Sequence, residues 1–175
     1  MKKIQLLIFS VLILMSCGTS NELNRTLTDK TNNRTIIYGQ CDKKIFTHKE
    51  FSTWYNYSYD SYYAGAAEVN RLKNYTDELT EIKIILGSWC SDSRREVPRF
   101  LKIMETVDFP DNKITIYGVD RKMKSDVKAI STIGFTRVPT FIFYKGKKEV
   151  GRIIERPEMT LEEDLLLILS RNYEK

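Results

Sequence analysis

Ile82-Lys83-Ile84-Ile85-Leu86, apolar at all but one position, runs through Gly87 and three more residues into a helix-period segment from Ser91 to Val107. A run of that length and composition suits a buried strand. A buried strand followed so closely by a helix commits the chain to α/β architecture, because the helix must cover the sheet it has just left. Val97, Leu101, Met104 (or Phe100) and Val107 form the helix's inner stripe, and Pro98 inside it predicts a kink. The unit recurs downstream, with a strand over Ile114 to Val119 and a short helix over Asp126 to Ile133, closed by Gly134. Upstream, Thr35 to Gly39 reads as a first strand. Phe51, Tyr55, Tyr59, Tyr62, Ala66, Val69 and Leu72 then mark a helical face with a break expected near Gly65. This tyrosine-rich stripe reads as packing on a sheet, the alternative being a sugar or peptide platform. Thr140 to Tyr144 and Glu149 to Ile153 flank Lys145-Gly146-Lys147-Lys148 as a hairpin, and Thr160-Leu161-Glu162-Glu163 predicts a capping box opening a last helix. The order implies parallel pairing through right-handed crossovers, an antiparallel hairpin edge and helices on both faces.

At 175 residues, 42% hydrophobic and 29% charged, the chain has room for one domain with a proper core. Its formal charge is +5, of which Lys2 and Lys3 contribute two, leaving a dispersed +3 that gives no basis for nucleic-acid binding. Those lysines open an apolar stretch, Ile4 to Met15, that reaches about 18 Å as a helix, short of the roughly 30 Å bilayer core. It reads as an export signal over 1–16. Leu14-Met15-Ser16-Cys17 resembles the bacterial lipoprotein signal, which implies lipidation of Cys17 and a domain held at the membrane of the cell envelope; an ordinary secretory signal is the alternative. The same resemblance implies, from Gly18 rather than Asp after the cysteine, that the outer membrane is slightly favoured. Residues 17–34, polar and without apolar period, read as a flexible tether, and 35–175 as the folded domain.

Cys90 follows the strand and opens the helix. Free N–H groups and the helix dipole at that point favour an anion, hence a thiolate. Arg94 and Arg95 add positive potential one turn on, and Asp92 opposes it. Trp89 and the polar Ser91, Asp92 and Ser93 argue against deep burial. The single histidine, His48, falls at a helix start and reads as a surface or capping residue. No Cys/His spacing suggests a metal, and no glycine loop suggests a nucleotide, so no cofactor is expected. The Arg121-Lys122-Met123-Lys124 and Lys145 to Lys148 stretches read as solvated loops.

Trp89-Cys90-Ser91-Asp92-Ser93 is similar to the Trp-Cys-x-x-Cys motif of the thioredoxin superfamily, and Arg137-Val138-Pro139-Thr140 resembles its second signature, the loop with a cis proline facing the reactive cysteine. The resemblance implies a thioredoxin-like fold, a central mixed sheet of four to five strands with helices on both faces. It implies that Cys90 attacks disulfides, supported by Trp89, Ser91, Asp92 and Arg94. It also implies a cis Val138–Pro139 bond, with an exposed backbone at Val138, Pro139 and Thr140 that pairs with an extended substrate. Three positions depart from the pattern. Ser93 replaces the second cysteine, Ile84 stands where many thioredoxins keep a buried Asp, and Glu155-Arg156-Pro157 follows the last strand where Gly is common. Ser93 cannot resolve a mixed disulfide, although its hydroxyl can hydrogen-bond the Cys90 thiolate. Cys41, on a strand two spacings or about 10 Å from the active-site strand, is too far for a direct bond without local unfolding. Two readings stay open. One is monothiol exchange with protein or small-molecule thiols and disulfides, discharged by an external reductant. The other is a non-catalytic binding module using the groove near Pro139.

Overall fold

The computed structural model describes residues 22–173. The strands are β1 (Thr26–Asp29), β2 (Arg34–Ile37), β3 (Gly39–Cys41), β4 (Glu81–Leu86), β5 (Ile114–Gly118), β6 (Thr140–Lys145) and β7 (Lys148–Ile154). The helices are α1 (Lys49–Asp60), α2 (Ala66–Thr76), α3 (Ser91–Thr106), α4 (Lys128–Thr132) and α5 (Leu161–Tyr173). The expected signal segment and Cys17 lie outside the described residues. No helix among those described is long and apolar enough to cross a membrane.

The central sheet has the order β3-β5-β4-β6-β7, with β4 and β5 parallel and the other neighbours antiparallel. Side chains alternate across it, as the pleat requires. Ile82, Ile84, Ile116, Phe141 and Phe143 face a core filled from α1, α2, α3 and α5, with the Phe100 ring tilted against Phe141 at 4.5 Å between centroids. Ile85, Tyr117 and Ile142 face the other way, onto Val127 and Ile130 at the short α4. The two faces are thus covered unequally, and the thinly covered one carries the site described below. The tyrosine stripe turns inward, its main neighbour being α3. Phe46, Tyr55 and Tyr59 stack in series beside buried Phe51, which leaves Tyr57 pointing to solvent.

Two expectations change and one, the break near Gly65, holds. The predicted first strand, Thr35 to Gly39, divides: its residues to Ile37 belong to β2 of the two-stranded hairpin, and only Gly39 enters the central sheet, on β3, which runs antiparallel to β5 rather than parallel. The helical series breaks at Gly65 into α1 and α2, and two helices between β3 and β4 reverse the chain once more than a single crossover does. Residues 26–34, assigned to the tether, instead form β1 and the start of β2. They pair in register from Thr26 with Ile37 to Asp29 with Arg34, and Leu27 and the polar side chains around it conceal this strand from a hydrophobic reading. The capping box is half present. The Glu163 N–H donates to Thr160 Oγ1 at 3.2 Å, but the carboxylate reaching back is that of Asp164, which accepts from the Glu158 and Met159 N–H groups. Glu162 has another task. Buried in spite of its charge, it accepts from the Gly65 N–H at 2.8 Å and from the Tyr62 hydroxyl, tying the α1–α2 break to α5.

Candidate active site

β4 ends at Leu86 and α3 begins at Ser91, with Cys90 as the N-cap residue in an extended conformation. The turn between them is held from three sides. The Cys90 N–H donates to the Gly87 carbonyl at 2.8 Å, and the Gly87 N–H donates to Ser93 Oγ at 3.2 Å. The Trp89 indole lies back over Gly87, where an added Cβ would come within 2.6 Å of the ring, and donates from Nε1 to the Val119 carbonyl at 2.9 Å. Ser88 Oγ accepts from the Ile37 N–H at 2.9 Å, and Arg94 Nε donates to the Ser88 carbonyl at 2.5 Å. The loop carrying the sulfur is therefore held by bonds to β2, to α3 and to Val119.

The Val138–Pro139 peptide is cis, as the second signature implied, and its carbonyl faces the sulfur: the Cys90 thiol donates to Val138 O at 3.3 Å. Thr140 Oγ1 donates to the Arg137 carbonyl, and the Pro139 carbonyl accepts from the Glu155 N–H at 2.7 Å. The expected exposed platform is corrected here. Val138, Pro139 and Thr140 are all buried, because their carbonyls and hydroxyl are engaged by the protein itself. What remains is the Val138 N–H, which has no hydrogen bond among the described residues. Glu155, the departure from the common glycine, stands at φ 60, the left-handed region that glycine fills without strain, and its carboxylate pairs with Arg137 at 2.7 Å.

Ser93 is fully buried, and its hydroxyl oxygen accepts from Gly87. Its bond is thus to the turn, not the bond to the Cys90 sulfur expected from the sequence. Ser91 is exposed on the first turn. Asp92 is half-buried. Desolvation raises its carboxyl's pKa, but hydrogen bonds from Arg156 at 3.1 Å and Arg95 at 2.7 Å outweigh this and hold it below the usual carboxylate range. With two arginines on it, Asp92 offsets less of the potential at Cys90 than its position suggests. His48 caps α1, accepting from the Glu50 N–H. Cys41 is buried and free, its thiol pKa pushed up by burial and then by Asp42. It sits level with Ile116 and Ile84, six residues short of Cys90 along the active-site strand.

Sequence reasoning missed the hairpin's part in the site. Asp29 on β1 accepts from Arg121 at 2.6 Å, and the Arg121 guanidinium lies 5.1 Å from the Trp89 ring centroid. The loop treated as solvated therefore joins the N-terminal hairpin to the active-site tryptophan. Thr31, through its N–H and hydroxyl, and then Arg121 hold the Asp29 carboxyl down to about 2 from an ordinary 3.8. A carboxyl depressed on folding stabilises the native contact above its unfolded value and loses that contribution as pH falls through the folded one. The hairpin contact is accordingly expected to loosen between about pH 4 and pH 2. Trp89 emission, followed in a Trp54→Phe background, should change over that window; the same titration in Asp29→Asn should be flat there.

A cysteine at the mouth of a helix, leaving a central parallel strand and opposed by a cis-proline loop on the next strand, defines a thioredoxin-like protein. A sequence-family model described as Thioredoxin matches residues 43–165, and the chain belongs to that family. Among solved structures, similarity is found to a Pseudomonas aeruginosa protein of unknown function (14% identity, 75% of this chain and 83% of that one, TM-score 0.45). It is also found to Arabidopsis thaliana thioredoxin O1 in the oxidised state (22%, 70% and 91%, TM-score 0.37). Arabidopsis thaliana thioredoxin O2, also oxidised, is 26% identical over 61% of this chain and 88% of that one, with a TM-score of 0.38. No curated protein matches.

Proposed function

We propose that the protein carries out thiol–disulfide exchange with Cys90 as its single attacking sulfur, and that each reaction halts at a mixed disulfide until an external thiol discharges it. The observation that carries this reading is the pairing of Cys90 Sγ with Val138 O at 3.3 Å, at the end of a helix and beside an unpaired Val138 N–H. In the reaction the Cys90 thiolate attacks one sulfur of a disulfide, a new sulfur–sulfur bond forms, the old one breaks, and the departing thiolate takes the electron pair and then a proton. Loss of the Cys90 proton frees Val138 O, so Val138 acquires an open carbonyl acceptor beside its open N–H donor. That pair suits the backbone of an extended substrate. Ser93 offers no second sulfur, and Cys41 is remote and sealed in the core. The chemistry therefore fits isomerisation or reduction of mixed disulfides, with the reducing thiol drawn from outside. A lipid on Cys17 would keep this domain at the surface of an envelope membrane.

The test is adduct mapping on the full chain. Incubation with hydroxyethyl disulfide should give one adduct, at Cys90, that persists on removal of excess reagent and is released by a small thiol. Lack of reaction at Cys90 would leave a thioredoxin scaffold that binds partners near Pro139 without exchange.

A further inference from the structure

Around Cys90 the charges do not balance. Arg94 reaches back from α3 to the Ser88 carbonyl, Arg121 lies over the indole of Trp89, and Arg34 opens the strand whose Ile37 N–H is bonded to Ser88. Arg121 has a carboxylate partner in Asp29, but neither Arg34 nor Arg94 forms an ion pair among the described residues. The nearest acid on α3, Asp92, is taken up by Arg95 and Arg156. The crowding is physical. Desolvation, then the charges of Arg34 and Arg121, lower the Arg94 pKa, and Cys90 acts in the opposite sense. Three like charges with a single ion-paired carboxylate, Asp29, among them leave a net positive flank beside a nucleophile, which raises the local concentration of anions and repels cations.

Building on the exchange reaction proposed above, we infer that the Arg34, Arg94 and Arg121 flank of Cys90 selects disulfides that carry carboxylates close to the sulfur under attack. Guanidinium groups suit this role, since their planar forks bind carboxylates in pairs of hydrogen bonds and stay charged at any working pH. The substrate lies between the Val138 peptide on one side and the arginines on the other, so its acidic group falls on the side of Trp89 and the hairpin. The bond changes are those of ordinary exchange: Cys90 Sγ joins the attacked sulfur, and the other half leaves as a thiolate.

The experiment compares second-order rates of adduct formation at Cys90 in the full chain with three aliphatic disulfides. These are glutathione disulfide, which is anionic, neutral hydroxyethyl disulfide and cationic cystamine, each rate divided by that of a free thiol with the same reagent. Two short peptides, each with one cysteine held as a mixed disulfide and flanked by either Asp or Lys, show whether the preference extends to polypeptide. At low ionic strength the normalised rate should favour the anionic over the neutral disulfide by about tenfold, and the advantage should shrink toward unity in 1 M salt. Arg34→Gln should reduce it about threefold relative to the neutral reagent, and Arg34→Glu more. A preference confined to glutathione disulfide points to a small-molecule substrate; one shared by the Asp-flanked peptide points to acidic protein segments. Equal normalised rates for all three reagents, or a preference unaltered by Arg34→Glu, would overturn the inference while leaving exchange intact. Failure of every reagent at Cys90 would remove both.

Discussion

On the exchange reaction proposed above, Ser93→Cys is expected to turn a site that stops at the mixed disulfide into one that clears it, shortening the adduct's lifetime by about a hundredfold or more. Positions 90 and 93 are i and i+3 on the first turn of α3, where side chains are neighbours along the helix. A thiol tethered there attacks at an effective concentration that no external thiol at ordinary levels approaches. The oxygen of Ser93 already lies buried against the Gly87 N–H, so a sulfur introduced there starts inside the site rather than in solvent. The check is the decay of a Cys90 adduct with hydroxyethyl disulfide, followed by mass in the absence of added thiol. In the native chain it should persist; in the variant it should give way to an internal disulfide and released mercaptoethanol. An adduct equally long-lived in both would show that position 93 cannot reach the sulfur, and the missing second cysteine would cease to explain how this site behaves.

Cys90, Trp89 and Pro139 were legible because each depends on local grammar: a strand end, a helix start, a proline between two strand-like segments. The core strands were legible for a similar reason, since Ile82, Ile84 and Phe141 announce burial by composition alone. What the sequence concealed is set by pairings across long separations. Thr26 to Asp29 looks like a polar linker, and only its ladder with Arg34 to Ile37 makes it a strand. Arg121 looks solvated among lysines, and only the fold brings Asp29, distant in the chain, beneath it. The direction of β3 depends on how many helices intervene, which turned on whether Gly65 interrupts one helix or separates two. Ser88 gives no signal at all; its hydroxyl matters because Ile37 needs an acceptor at that spot. The geometry around Cys90 was thus written locally and its electrical surroundings non-locally.

Those surroundings rest on one close crossing, which makes Gly118→Ala the most damaging single methyl that the site's support should encounter. Gly118 ends β5 between Gly39 of β3 and Leu86 of β4. A Cβ there would lie 2.4 Å from the Ile37 carbonyl oxygen and 2.6 Å from its carbon, and backbone atoms cannot swing aside as a side-chain tip can. Ile37 is fully buried, and its N–H is the group bonded to Ser88, so displacing it both overpacks the core and strips a buried donor of its acceptor. Overpacking costs about 1–3 kcal/mol and an orphaned buried N–H about as much again, so a loss of about 3 kcal/mol or more is expected. For a chain of this length that lowers Tm by about 6–12 °C. Gly134→Ala is the control: beyond its own chain neighbours no atom would lie within 4 Å of the added Cβ, and its stability should stay within about 1 kcal/mol of the parent. Thermal melts of both variants, with the anionic-to-neutral disulfide preference measured on the folded fraction, separate the two consequences. If the hairpin carries Arg34 and the Asp29–Arg121 contact to the site through Ile37, Gly118→Ala lowers stability and preference together. A variant that melts with the parent would show that the crossing yields without cost, and that the hairpin does not hold the arginines in place.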